Sequence, residues 1–155
     1  LAKKIGLSNS THSVNIYIDL DKILNEFKEE GIVNQKNRPI SFNKICQLED
    51  YKIINQMASK AREIMTFYQC VDNLWEVKNL VNYILRFSLA ATLARKYKTS
   101  VKKIFARYGK NFSVKVKDKE KIIEITNFPS KNQVDTLKCK FNIETIAYKD
   151  LIRNR

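Results

Sequence analysis

The stretch LARKYKTSVKKIFARYGKN, residues 93–111, combines seven basic side chains with aromatic ones and contains no acidic residue. Lysine and arginine neutralise phosphate groups and release the counterions condensed around them. A tyrosine among such cations can stack on a ring or donate a hydrogen bond. The chemistry that this pattern indicates is therefore the binding of a large polyanion. The candidate binding residues are Arg95, Lys96, Tyr97, Lys98, Lys102, Lys103, Arg107 and Lys110.

The excess positive charge of the chain is concentrated around this stretch. The formal net charge is +13 over 155 residues. Residues 77–117 carry 11 basic and 0 acidic side chains, residues 1–76 carry 10 of each, and residues 118–155 carry 8 basic and 6 acidic ones. A charge that served only solubility would be spread over the surface, whereas a localised field favours a polyanionic partner.

Hydrophobic periodicity predicts that helices position these cations. The hydrophobic share of 44% can fill a core, and only 3 Gly and 2 Pro favour a mainly α protein over a loop-rich β protein. Asp19 or Asp21 would cap the first helix, and Asp72 or Asn73 would cap the third. We predict helices at about residues 19–31, 49–69, 74–97 and 100–109.

The last of these helices has two separate faces. Thr99 or Ser100 would cap it, and Gly109 would end it. Apolar side chains at i, i+3, i+4 and i+7 would pack on the bundle, and cations at i, i+4 and i+7 would point to solvent. The apolar set is Val101, Ile104, Phe105 and Tyr108, and the outward set is Lys103, Arg107 and Lys110, with Lys102 at the boundary.

The period changes to two after the last helix. FSVKVKDKEKIIEIT alternates around a turn near residues 118–120, which predicts a β-hairpin, and a short helix is expected from 143. We therefore predict a mainly α fold, a helical bundle followed by a small β-hairpin appendix. Its three parts would be a linker or residual strand at 1–18, the bundle at 19–111, and the hairpin with a short helix at 112–155.

Residues for catalysis or metal binding do not assemble in this sequence. Asp19 and Asp21 resemble a metal-binding pair, but beside a helix start their expected role is capping. His12 is the only histidine, and the three cysteines are far apart, which disfavours a zinc site. We expect no enzyme activity within these residues, no metal and no cofactor. Apolar runs stay well short of the ~20 residues of a membrane span, so we expect no membrane partner.

Residues 83–111, YILRFSLAATLARKYKTSVKKIFARYGKN, resemble the signature of domain X of the group II intron maturases. NRPIS at 37–41 and FYQCVDN at 67–73 resemble two upstream motifs of that family, and DKILNEFKEEGIVN at 21–34 resembles the helix that opens the domain. The resemblance extends over about residues 16–112. Two departures are Tyr97, where histidine is usual, and Leu89, where cysteine or alanine is usual.

This resemblance implies a helical, thumb-like domain that follows a reverse transcriptase. Such a domain binds intron RNA through phosphate contacts and assists its folding and splicing, while the RNA is the catalyst. It implies intron RNA as partner, with a reverse transcriptase domain or ribonucleoprotein proteins beside it. Abundant Lys, Asn and Ile suit an AT-rich genome, so we expect an organelle, the mitochondrial matrix ahead of the chloroplast, with the bacterial cytoplasm as alternative.

Two other hypotheses about function also fit the basic stretch. The first is a structural RNA-binding protein of an organellar ribonucleoprotein such as a mitoribosome, in which the same cations would contact ribosomal RNA. The second is a helix that binds a membrane surface or a calmodulin-like protein. The apolar face of residues 101–108 is short and is expected to pack on the bundle, which disfavours the second hypothesis.

Overall fold

Four α-helices form most of the part that the structure describes, which confirms the mainly α prediction. The structure is a computed structural model that describes residues 15–118 and 121–124, with side-chain burial for 15–114. The helices are α1 (Leu20–Glu30), α2 (Asp50–Phe67), α3 (Leu74–Lys96) and α4 (Val101–Tyr108), with a 3-10 turn at Asn43–Ile45 and two strands, β1 (Lys115–Asp118) and β2 (Lys121–Glu124).

Helix α1 begins and ends at the residues that its sequence predicts. The Asp19 carboxylate accepts a hydrogen bond from the Asp21 backbone N–H at 3.0 Å, so Asp19 is the N-cap. Gly31 follows the last turn with φ of 83°, a left-handed conformation that is easy for glycine and costly for a side chain bearing Cβ. Ile23, Leu24 and Phe27 form the buried face of the helix.

Helix α3 lies at the centre of the bundle. Helices α1, α2 and α4 all contact it. The sequence predicts an apolar stripe through Val77, Val81 and Ile84, widened by Leu80, Phe87 and Ala94. Val77, Val81 and Ile84 are buried. The structure also buries Leu85 and Leu89 on another side of the helix. Even the widened stripe therefore covers too little of the buried surface of α3, because three other helices contact this helix.

The predicted cap of α3 is confirmed in position, at Asn73, but not in its side-chain hydrogen bond. Asn73 holds the N-cap position but makes no capping hydrogen bond with its side chain. Its amide instead accepts from the Ile18 N–H at 3.1 Å and donates to the Ile18 carbonyl at 2.9 Å. The Asp72 carboxylate accepts from the Ile16 N–H at 2.6 Å. Both side chains therefore hold the segment that precedes α1 against the start of α3.

Helix α4 has the orientation that its two sets of side chains predict. Ile104 is buried, and Val101, Phe105 and Tyr108 pack against the core as partly buried residues. The Phe105 ring makes edge contacts with Phe87 at 5.4 Å and with the buried Phe112 at 5.3 Å, measured between centroids. The outward cations Lys102, Lys103, Arg107 and Lys110 are exposed.

Strands β1 and β2 pair antiparallel, with Lys115 opposite Glu124 and Asp118 opposite Lys121. The turn between them lies outside the described residues, as does the short helix predicted from 143. The closed hairpin, that helix and the division of the chain into three parts therefore remain predictions.

Ser100→Ala should lower the free energy of unfolding by about 1 kcal/mol, the usual value of an N-cap. The Ser100 side chain accepts a hydrogen bond from the Lys103 backbone N–H and is the N-cap of α4. Thr99→Ala is the matched control, because Thr99 precedes the cap position. Urea denaturation of the two variants measures both effects, and equal losses would show that Ser100 is not the cap.

Candidate nucleic-acid interface

Six of the seven predicted cations are exposed and belong to the end of α3, the following turn and α4. Arg95 lies in the last turn of α3, and Lys98 lies in the turn with φ of 48°. The Thr99 N–H closes this turn by donating to the Ala94 carbonyl at 2.9 Å. The turn reverses the chain so that α4 packs against α3. The six exposed cations are Arg95, Lys98, Lys102, Lys103, Arg107 and Lys110.

Lys96 differs from the other predicted cations because its ammonium group is bound within the protein. Its Nζ lies 2.8 Å from Oδ1 of Asp50 and 2.6 Å from the carbonyl oxygen of Leu48. The side chains of this ion pair are 25% and 19% exposed, so the pair is only partly shielded from water. The ion pair joins the last turn of α3 to the first turn of α2.

Asp50 also accepts hydrogen bonds from two tyrosines. The hydroxyl groups of Tyr97 and Tyr108 both donate to its Oδ2 at 2.5 Å. The carboxylate thus binds one side chain from the end of α3, one from the cap position that follows α3, and one from α4. We call Asp50, Lys96, Tyr97 and Tyr108 the Asp50 cluster, and it fixes α4 relative to the two longer helices.

Arg107 lies on the aromatic rings of this cluster. Its guanidinium carbon is 5.2 Å from the centroid of Tyr97 and 5.4 Å from that of Tyr108. A guanidinium on an aromatic face gains a cation–π interaction and remains able to donate to a phosphate from its edge. The Asp50 cluster therefore orients a cation that remains exposed to solvent.

The protonation states of the cluster follow from its contacts. Burial acts to raise the pKa of Asp50, but hydrogen bonds from Lys96, Tyr108 and Tyr97 outweigh it and hold this pKa below its ordinary value. Burial and the hydrogen bond to Asp50 raise the pKa of Tyr108, and the hydrogen bond to Asp50 raises that of Tyr97. At neutral pH Asp50 is therefore a carboxylate and the two tyrosines are neutral phenols.

The sequence analysis missed Asp50 as part of this interface. An aspartate at the start of a helix is common, and its spacing of 46 to 58 residues from its partners carries no local signal. Tyr108 was predicted only as an apolar anchor, whereas its hydroxyl makes a specific contact. Tyr97 was predicted to stack or donate, and the structure shows its hydroxyl donating to Asp50 while its side chain remains 40% exposed.

Within residues 15–118 and 121–124, the structure contains no group of three or more His, Cys, Asp or Glu side chains placed to hold a metal ion. In the same residues, no helix has the length and apolar character that crossing a membrane requires.

The sequence is similar to a family profile and to several individual proteins. A family profile described as "Type II intron maturase" matches residues 11–151. An uncharacterized mitochondrial protein, ymf11, of Marchantia polymorpha is 27% identical over 108 residues, 69% of this chain and 15% of that protein. Maturase K of Aneura mirabilis is 32% identical over 98 residues, 62% of this chain and 19% of that protein.

Maturase K of Palhinhaea cernua is 25% identical over 138 residues, which cover 89% of this chain. The matched part is 25% of that protein. The chain therefore spans a quarter or less of the length of these three relatives.

Proposed function

This chain belongs to the type II intron maturase family, and we propose that it is an RNA-binding maturase domain that binds group II intron RNA and assists its folding and splicing. In this proposal the RNA performs the chemistry, and the protein holds it in its active fold. The observation that carries the proposal is the family match, because residues 11–151 include the entire basic surface formed by α3 and α4.

The proposed binding mode is contact with the phosphate backbone of folded RNA. The major groove of A-form RNA is too narrow for side chains to read, so proteins recognise duplex regions by shape and backbone contacts. The exposed cations of α4 and the Arg95 and Lys98 side chains before it would make these contacts. Exposed charges often contribute little, so we expect about half of them to matter energetically.

Lys96 and Tyr97 have a different part in this proposal. The Lys96 ammonium is bound to Asp50, so its contribution to RNA binding would be indirect, through the position of α4. The Tyr97 hydroxyl is also engaged, but the exposed part of its ring could stack on a base. Arg107, which lies on the Tyr97 ring, would be the most strictly oriented phosphate ligand of the surface.

We propose an organelle as the location of this protein. The relatives reported above include a mitochondrial protein of Marchantia polymorpha and plant maturase K proteins. The abundance of Lys, Asn and Ile suits the AT-rich genome of an organelle. We propose the mitochondrial matrix ahead of the chloroplast, with the bacterial cytoplasm as the alternative. A reverse transcriptase domain or the proteins of a ribonucleoprotein are the protein partners that fit this role.

The structural alternative, a protein of an organellar ribonucleoprotein such as a mitoribosome, predicts a different bound RNA. The named relatives are maturases or an uncharacterized mitochondrial protein, which favours the splicing role. Cross-linking in the organelle followed by sequencing of the bound RNA separates the two functions. Intron sequences support the proposal, and ribosomal RNA would support the alternative.

Binding to a transcribed group II intron should depend steeply on salt. If about five phosphates are neutralised, the slope of log K against log salt is about −3.5 to −4.5. Filter binding between 0.05 and 0.3 M KCl measures the slope, with a structured RNA of equal length as the specificity control. A slope near zero, or equal affinity for both RNAs, would contradict the proposed function.

A further inference from the structure

A second basic element lies on the loop between α1 and α2. Residues 31–48 contain three basic side chains and no acidic one. All three, Lys36, Arg38 and Lys44, are exposed. The net charge of residues 1–76 is zero although they include this group, because acidic residues lie before and after the loop in the sequence. We call residues 34–44 the 34–44 loop.

The tip of this loop is held by its own hydrogen bonds. The Asn34 side-chain oxygen accepts from the backbone N–H groups of Lys36 at 3.0 Å and of Arg38 at 2.9 Å. The Asn34 N–H donates to the Arg38 carbonyl at 2.9 Å. Asn37 takes φ of 58°, a left-handed conformation that asparagine tolerates better than most residues. The backbone that carries Lys36 and Arg38 is therefore a defined turn.

Helix α3 holds the other end of the loop with two buried hydroxyl groups. Ser88 donates to the Ile40 carbonyl at 2.6 Å, and Thr92 accepts from the Phe42 N–H at 2.9 Å. Ser88 and Thr92 are fully buried, while Ile40 is exposed and Phe42 partly buried, so the two bonds are partly buried. Buried polar groups are costly to leave unpaired, which makes this attachment hard to break.

The same face of α3 connects the loop to the predicted RNA surface. Ser88, Thr92 and Arg95 follow one another at i, i+4 and i+7, so they share a side of the helix. Arg95 Nη1 lies 3.4 Å from Oγ of Ser41 in the loop. Arg95 is thus both a member of the cation set of α3 and α4 and a neighbour of the 34–44 loop. The loop is therefore attached to α3 beside a member of that cation set.

We infer that the 34–44 loop is a second RNA-binding element, in which Lys36 and Arg38 contact backbone phosphates of the folded RNA that the α3 and α4 cations also contact. The inference rests on the proposed function. A rigid turn with two exposed cations binds without paying the full ordering cost of a flexible loop. Two separated basic elements that are both attached to α3 suit a structured RNA, whose phosphates are distributed in three dimensions.

The double variant Lys36→Ala, Arg38→Ala tests the inference. Losing two phosphate contacts should reduce the steepness of the salt slope by about 1.4 to 1.8, and affinity for a transcribed group II intron should fall by roughly 25- to 60-fold at 0.1 M KCl. The matched control is Lys22→Ala, Arg62→Ala, which removes the same charge from exposed positions on α1 and α2. Its slope and affinity should stay close to those of the wild type.

The outcomes separate this inference from the proposed function. If the wild type shows no preference for the intron, the proposed function fails. If the wild type binds the intron but both double variants lose the same small amount of affinity, the loop is not an RNA contact. The charge-conserving variant Lys36→Arg, Arg38→Lys should recover the wild-type slope, and thermal melting checks that all three variants fold. A charge-conserving variant that folds but binds as weakly as Lys36→Ala, Arg38→Ala would also contradict the inference.

Discussion

The triple variant Lys102→Ala, Lys103→Ala, Lys110→Ala should bind a transcribed group II intron more weakly than the wild type at 0.1 M KCl, by roughly 5- to 8-fold for each side chain that contacts a phosphate and by roughly 100- to 500-fold if all three do. These three side chains are exposed on or just after α4. Each lost phosphate contact removes about 0.7 to 0.9 from the steepness of the salt slope, so the triple variant should lose about 2.1 to 2.7. Arg107 is left in place because its ring contacts also affect the fold.

The control for this experiment changes the same amount of charge elsewhere. Lys22→Ala, Lys28→Ala, Arg62→Ala removes three cations from α1 and α2. Its affinity should remain within a few-fold of the wild type, since a distant charge acts only through the screened general field. Both triple variants should melt near the wild-type temperature, because five of the six side chains are exposed and Lys28 is partly exposed, and charges at such positions contribute little to stability. Equal losses of affinity in both would mean that total charge, and not the α4 surface, governs binding.

Much of the helical architecture could be predicted from local sequence. Asp19, Gly31, Ser100 and Gly109 are capping or terminating residues whose effect is confined to one turn of chain. The i, i+3, i+4 pattern of α4 separated buried from exposed side chains, because that helix packs on one side only. Such features depend on neighbours in sequence, and for that reason the boundaries of α1 and α4 agree with their predictions within one residue.

Features that depend on distant parts of the chain were not predictable. Asp72 and Asn73 have the residue types of a helix cap, yet they bind Ile16 and Ile18, about 55 residues away. Lys96 has the same local pattern as the other cations, yet its ammonium is bound by Asp50. Nothing near these residues in sequence distinguishes a side chain that acts locally or faces solvent from one that binds a distant partner. Only the packing of α2 beside the end of α3 does so.

Asp50→Asn should destabilise the protein by about 2 to 4 kcal/mol, a large part of the usual stability of a small domain. The substitution keeps the shape of the side chain but removes the negative charge that binds Lys96, Tyr97 and Tyr108. The ammonium of Lys96 would then lie partly buried without its counter-charge. Urea denaturation at pH 7 measures the loss.

Glu49→Gln is the matched control for Asp50→Asn. Glu49 is the N-cap residue of α2 and also carries a negative charge at the start of the helix. Its side chain is 64% exposed and pairs only with the nearby Lys52 among the salt bridges of the described residues. The helix dipole and a surface ion pair contribute little at an exposed site, so Glu49→Gln should lower the free energy of unfolding far less than Asp50→Asn does. A loss from Glu49→Gln as large as that from Asp50→Asn would assign the effect to the helix start and not to the Asp50 cluster.

The contribution of Asp50 to the free energy of unfolding should disappear in acid. Its pKa is lower in the folded chain than its ordinary value of 3.8, so the folded state binds this proton less readily than the unfolded state does. The stability that Asp50 provides is therefore complete at pH values well above 3.8 and is lost as pH falls through its folded-state pKa. The difference in unfolding free energy between wild type and Asp50→Asn should be constant from about pH 5.5 to 8 and shrink below pH 4. A difference as large at pH 2 as at pH 7 would show that the carboxylate charge does not hold the cluster together. The orientation of Arg107 and of α4 would then need another cause.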